Sequence, residues 1–209
     1  AANRLVGVLH AAGAGDKGVL AELDARRVHW VRASKATGAW HLQCTAASTC
    51  LVETRVLFSS VGSGLGNVGQ ANYAVANACL DAHASSQRTR GSAACSLQWP
   101  LVGGAGMGAA AFAAVGARQI AVAGLAGISL EEYAACLRLQ LAANAGGAPC
   151  SAQVVHRAEV RTLLQDLADP SQARFGELVA QAKHTSARVG MGPMLPMVAS
   201  AAGSALALS

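Results

Sequence analysis

The chain has 209 residues, 53% of them hydrophobic, 13% charged and 4% aromatic, which excludes a solvated disordered protein for most of its length. The net charge of +5 comes from 16 scattered Lys and Arg; no basic run is interleaved with aromatics, so nucleic-acid binding is not expected, while an anionic cofactor or an acidic partner is compatible. Six cysteines and six histidines show no C-x-x-C, H-x-x-x-H or H-E-x-x-H spacing, so no metal site is expected, and the cysteines read as small buried thiols in a reducing compartment, the cytoplasm or a reducing organelle.

Leu5-Val6-Gly7-Val8-Leu9 is a continuous apolar run ending in His10-Ala11-Ala12-Gly13, the pattern of a parallel strand buried on both faces. No charged leader or cleavage site precedes it, and a chain that opens inside a strand reads as a piece of something longer. Asp24 can cap a helix reaching about His41, with Val28, Val31 and Leu42 among its apolar positions. Residues 55–60 form a second short apolar strand, followed by the glycine-rich stretch 62–69 and a helix from about Ala71 to Arg88 that stops near Gly91.

Residues 94–99 give a third strand, closed by Pro100; the Gly- and Ala-rich stretch 103–127 takes no assignment. Ser129-Leu130-Glu131-Glu132 is a capping box that opens a helix to about Ala143. Gln153-Val154-Val155 reads as a final strand and 160–167 as a short helix. From Pro170 the pattern dissolves. Residues 189–209 carry no charge and are long enough for a membrane span, but their prolines, glycines and serines read as a flexible tail.

Strands alternating with long helices predict an α/β fold: a Rossmann-like parallel sheet with flanking helices. The visible strands are too few for a complete two-halved dinucleotide fold, so the N-terminal half of the sheet is expected to be missing. The expected organisation is a partial domain over 1–168 and a flexible linker or tail over 169–209.

Gly64-Leu65-Gly66-Asn67-Val68-Gly69 spells G-x-G-x-x-G, but the next strand ends Leu97-Gln98-Trp99, without the carboxylate that a ribose-binding fingerprint needs. A stronger pattern surrounds it. Ser60 closes a strand, Tyr73 follows thirteen residues later, and Asn77 lies at i+4 from Tyr73 on the same helical face, while Lys35 sits on the preceding helix. Each alone has an ordinary reading: a solvated lysine, a strand-end serine, a half-buried tyrosine, a surface amide. Together they can meet at the carboxyl ends of adjacent parallel strands, where open α/β sheets hold their ligands. The set suits carbonyl reduction, in which the oxygen receiving negative charge needs a proton from Tyr73 and a hydrogen bond from Ser60. A nearby ammonium would lower the phenol pKa toward working pH, and Asn77 can orient groups and water.

The segments Gly7-Val8-Leu9-His10-Ala11-Ala12-Gly13, Phe58-Ser59-Ser60 and Gly66-Asn67-Val68-Gly69-Gln70-Ala71-Asn72-Tyr73-Ala74-Val75-Ala76-Asn77-Ala78 closely resemble the ketoreductase domains of type I polyketide synthases, in the short-chain dehydrogenase/reductase superfamily. The resemblance spans roughly residues 5–160, with the block from Ser60 to Asn77 its most specific part. Ordinary members carry lysine four residues after the tyrosine; Asn77 there, with Lys35 on the preceding helix, resembles the synthase type.

The resemblance implies a Rossmann fold that binds NADPH and reduces a β-ketoacyl chain on acyl carrier protein, among other synthase domains and apart from membranes. It makes Ser60, Tyr73, Lys35 and Asn77 the catalytic positions. It places Ala12 and Gly13 near the cofactor ribose, and Pro100 to Val102 along the nicotinamide. The family's Leu-Asp-Asp stretch reads Gly15-Asp16-Lys17 here, the opposite type's tryptophan is Leu65, and Trp-Gly-x-Trp reads Trp99-Pro100-Leu101-Val102. The family's phosphate loop and 2′-phosphate arginine would precede residue 1, so the chain alone is expected to be inactive. Two rivals are a non-catalytic structural module, which would not need the four catalytic residue types, and a free-standing short-chain dehydrogenase, against which Asn77 argues.

Overall fold

Four strands pair in parallel in the order of the chain: β1 (Gly7–His10), β2 (Thr54–Ser60), β3 (Ala94–Trp99) and β4 (Ala152–Gln153). The structure, a computed structural model, describes residues 5–49, 52–66, 69–104, 127–145, 152–153, 160–167 and 169–188. Register sets Leu9 beside Val56, Val56 beside Cys95 and Ser60 beside Trp99. Parallel pairing needs long crossovers, and helices supply them. Between β1 and β2 run α1 (Ala25–Arg32), a π turn (Ala33–Thr37) and α2 (Gly38–Thr49); between β2 and β3 run the short α3 (Gly62–Leu65) and α4 (Ala71–Thr89). Helix α5 (Leu130–Ala145) precedes β4, and α6 (Val160–Asp166) and α7 (Gly176–Arg188) follow it.

Side chains alternate across each strand, so the sheet builds two cores. Val56, Phe58, Cys95, Leu97 and Trp99 pack to one side with Ile128 and with Tyr133, Cys136, Leu137 and Leu141 of α5. Leu57 turns the other way, into Ala39 of α2 and Leu80 and Ala84 of α4. Leu80 is fully buried, worth about 1.5–3 kcal/mol of transfer free energy, and it presses α4 onto the sheet. The caps follow the sequence: Asp24 accepts the Arg27 amide at 2.7 Å, and the Ser129–Glu132 box closes at 2.9 and 3.2 Å.

Several expectations change. The first strand is not buried on both faces: Leu5, Val6 and Leu9 are about half exposed (50%, 54% and 48%), because among the described residues only β2 pairs with β1. The helix capped by Asp24 does not stop near His41; the π turn carries it on to Thr49. Val31 is buried as expected, whereas Val28 and Leu42 face outward. Cys95 is buried but Cys44 is exposed. The segment from 169, expected to be a flexible linker or tail, holds over its described residues a 3-10 turn (Ala173–Phe175), whose Phe175 is buried, and α7, which packs on α6. Asn67, Val68, Cys50, Cys150, Val154, Val155, and residues 105–126 and 189–209 lie outside the described residues. Among the described residues no helix is long and apolar enough to cross a membrane.

Candidate active site

The carboxyl ends of β2 and β3 are tied together where the Val61 amide donates to the Trp99 carbonyl at 3.0 Å. Ser60 ends β2 there, and its Oγ accepts the Gly62 amide at 3.2 Å, which fixes the hydroxyl at the start of α3. Helix α4 begins at Ala71, so Tyr73, Asn77 and Asp81, each four residues apart, form one ridge along it. Asn77 is fully buried: Nδ2 donates to the Tyr73 carbonyl at 2.8 Å, and the Asn77 carbonyl accepts from Ser59 Oγ at 3.3 Å. Its Oδ1 has no hydrogen-bond partner, leaving an acceptor inside the site.

Lys35 occupies the π turn. The Gly38 amide reaches back five residues to the Ala33 carbonyl, the widened ring of a π turn, a distortion that often marks functional positions. His10, at the end of β1, donates from Nε2 to the Lys35 carbonyl at 3.0 Å. A Cβ on Gly38 would lie 3.3 Å from the Ala33 carbonyl oxygen and 3.4 Å from His10 Cε1, so glycine lets the ring come this close. The lysine side chain runs inward, 3% exposed. Its Nζ donates to the Phe58 carbonyl at 3.0 Å and lies over the Tyr73 ring, 5.4 Å from the centroid. Lys35 and Tyr73 therefore share one side of the sheet end, with Ser60 and Asn77 beside the phenol.

The electrostatics differ from the sequence expectation. Burial pushes the Tyr73 phenol up, with the nearby Asn77 and Ser60 side chains pulling it partly back, while Lys35 lies over its ring. Burial lowers Lys35 itself to about 8, with the charge of Asp81 working against that fall. His10 is also lowered, chiefly by burial.

The loop after β1 is anchored to the same helix. Asp16 accepts from Asn72 Nδ2 at 2.7 Å and from Arg27 Nε and Nη2 at 3.0 and 2.8 Å, and the Gly18 amide donates to the Gly69 carbonyl at 2.9 Å. These bonds hold the Asp16 carboxyl below the usual range, Arg27 being the main cause. Ala12 and Gly13 are exposed at the start of this loop. Pro100 is buried and Val102 half-buried; Val102 bridges to Ile128, and the Gly103 amide donates to the Ile128 carbonyl at 2.9 Å. The segment after β3 is thus fixed beside Ser60.

These residues fit the nicotinamide and ribose end of a dinucleotide: a free acceptor at Asn77 Oδ1, a buried ammonium, and an anchored wall at 100–102. The glycine fingerprint does not fit the pyrophosphate. The Gly64 and Leu65 amides both go to the Val61 carbonyl and that of Gly66 to the Gly62 carbonyl, so they are not free to cradle phosphate.

A polar cluster that sequence reading missed lies behind the site. Asp81 accepts from Ser96 Oγ at 2.6 Å and from Gln98 Nε2 at 2.8 Å, and Ser63 Oγ lies 2.6 Å from Asp81 and 2.8 Å from the Ser60 carbonyl. The available signal was the run of polar residues on one side of β3, Ser96 and Gln98, in a strand whose opposite side is apolar.

The chain matches the family model "KR domain" over residues 1–104. It is 42% identical over 140 residues to the spectinabilin polyketide synthase system protein NorB of Streptomyces orinoci, covering 67% of this chain and 6% of that protein. With polyketide synthase GfsA of Streptomyces halstedii it shares 50% identity over 101 residues, 48% of this chain and 1% of that one. The chain therefore spans a small fraction of the length of these relatives. Among solved structures, an A-type ketoreductase from a modular polyketide synthase aligns with a TM-score of 0.71 at 29% identity, over 86% of this chain and 36% of the other. The first ketoreductase of the tylosin synthase aligns with a TM-score of 0.66 at 30% identity, over 83% and 38%.

Proposed function

Because the chain belongs to the ketoreductase domain family of type I polyketide synthases, a family of oxidoreductases, we propose that it reduces the β-keto group of an acyl chain carried on acyl carrier protein, with NADPH as hydride donor. The observation that carries the reading is the meeting of Lys35, Ser60, Tyr73 and Asn77, from three separate segments, at the carboxyl ends of β2 and β3.

The bound cofactor supplies the hydride, and Ala12, Gly13, Pro100, Val102 and Lys35 would hold its ribose and nicotinamide end. Ser60 donates a hydrogen bond to the ketone oxygen, and Tyr73 gives that oxygen its proton as the carbonyl becomes an alcohol. A phenol raised by burial stays protonated at neutral pH, the form a proton donor needs. Asn77 holds the Tyr73 backbone through its amide and offers Oδ1 to water or substrate.

The test is conversion of a β-ketoacyl thioester by the full-length protein with NADPH. The expected result is a β-hydroxyacyl product in proportion to the NADPH consumed. Consumption that is absent, or that persists unchanged in Tyr73→Phe, overturns the reading.

A further inference from the structure

We propose that Asp81 is a positioning residue of this site, whose carboxylate clamps the Ser60–Ser63 turn to β3. The inference rests on the functional reading above and deepens it. Asp81 stands two helical turns beyond Tyr73 on the same ridge of α4, and it faces the sheet, where it bonds Ser96 and Gln98.

Three side chains from two elements meet at its two oxygens. Oδ1 takes the Ser96 hydroxyl at 2.6 Å; Oδ2 takes the Gln98 amide at 2.8 Å and lies 2.6 Å from the Ser63 hydroxyl. Bonds of this kind to a charged acceptor are the strong ones. Ser63 also lies 2.8 Å from the Ser60 carbonyl, so its single proton sits between the carboxylate and the backbone of the substrate-facing serine. Any shift of Asp81 is thereby passed to Ser60.

The same carboxylate bears on Lys35, whose Nζ finds a carbonyl and an aromatic face but no ion pair among the described residues. An ammonium 3% exposed needs compensating charge nearby. The Tyr73 ring lies against it, His10 from β1 bonds its backbone, and Asp81 stands on the same ridge of α4 as Tyr73. Asp81 is the anion of that set, and its charge favours the protonated lysine.

The experiment compares Asp81→Asn, Asp81→Glu and Ser63→Ala in the full-length protein. Readouts are kcat and KM with NADPH and a β-ketoacyl thioester, and the Lys35 side-chain titration followed by NMR. Asp81→Asn is expected to lower kcat about tenfold at little-changed KM, the scale of a slight misplacement, and to move the Lys35 titration to lower pH. Asp81→Glu restores the titration. Ser63→Ala lowers kcat while leaving the titration in place, and it tests the clamp if Asp81→Asn fails to fold. Unchanged kcat and Lys35 titration in a folded Asp81→Asn protein, or unchanged kcat in Ser63→Ala, overturns the proposal. The two readings are separable: absence of turnover in the unaltered protein defeats the reductase assignment, while the NMR titration still reports on Asp81 and Lys35.

Discussion

Lys35 Nζ lies over the face of the Tyr73 ring, 5.4 Å from its centroid, and spends a hydrogen bond on the Phe58 carbonyl at 3.0 Å. The contact is a cation–π pairing at a buried position, of the kind worth roughly 2 kcal/mol when desolvated. Burial raises the phenol and lowers the lysine, which carries much of the strain of burial in its charged form.

That strain predicts a pH dependence of stability. The ordinary Lys35 pKa of 10.5 falls to about 8 in the fold. Between those values the unfolded chain holds a proton that the folded chain has lost, so stability rises with pH through this window. Below pH 8 the cost is present in full, about 3 kcal/mol at 1.36 per unit; above 10.5 it is gone. Lys35→Met should remove the dependence. Denaturant unfolding of both proteins across this range checks it, and parallel pH profiles would contradict it.

Tyr73→Phe should lower β-ketoacyl reduction by at least about 100-fold in the full-length protein, the usual worth of a positioned acid. The half-buried ring and its bed under Lys35 remain, so the fold and thermal unfolding should change little. A turnover within a few-fold of the original would remove Tyr73 from the mechanism.

Arg27→Ala should free the loop that follows β1. The guanidinium bonds Asp16 twice and the Glu22 and Lys17 carbonyls once each, while Asn72 holds the other side of Asp16. Trypsin cleavage after Lys17 is expected to accelerate, with KM for the thioester rising more than kcat falls. Unchanged cleavage would show that Asn72 and Gly18 hold the loop without Arg27.

Most of the strand and helix order was legible from local pattern, because parallel strands and their crossover helices each carry their own periodicity. Ser60, Tyr73 and Asn77 were legible as a set because they sit on a strand end and the helix directly after it, close in the chain. Lys35 was placed correctly on its helix, but the π turn that aims it left no local signature; it depends on His10, twenty-five residues away. The same holds for Asp81, whose partners come from α3 and β3. The exposure of Leu5, Val6 and Leu9 is likewise a matter of neighbours, since an apolar run does not say which strands pair with it. Helix α7 escapes the sequence reading because Pro170 and the loss of pattern after it hide the burial of Phe175.

Gly66 offers a test of how the turn between Ser60 and Tyr73 is held. It follows α3 with φ 83° and ψ 169°, a combination open essentially to glycine alone. A Cβ there would meet nothing within 4 Å, so the penalty for Gly66→Ala is backbone strain and not a clash. Strain of this type costs about 1–3 kcal/mol, and the turn can relieve it only by rotating α3, which carries Ser63 and the Gly62 amide bonded to Ser60. Gly66→Ala should therefore lose both stability and turnover. Gly91→Ala makes the control: Gly91 also has positive φ, 79°, with open space at its Cβ, but it lies at the far end of α4. That variant should lose stability and keep kcat. Equal losses of kcat in the two proteins would show that turnover follows global stability, and an unaffected Gly66→Ala would show that the turn adapts without moving Ser60.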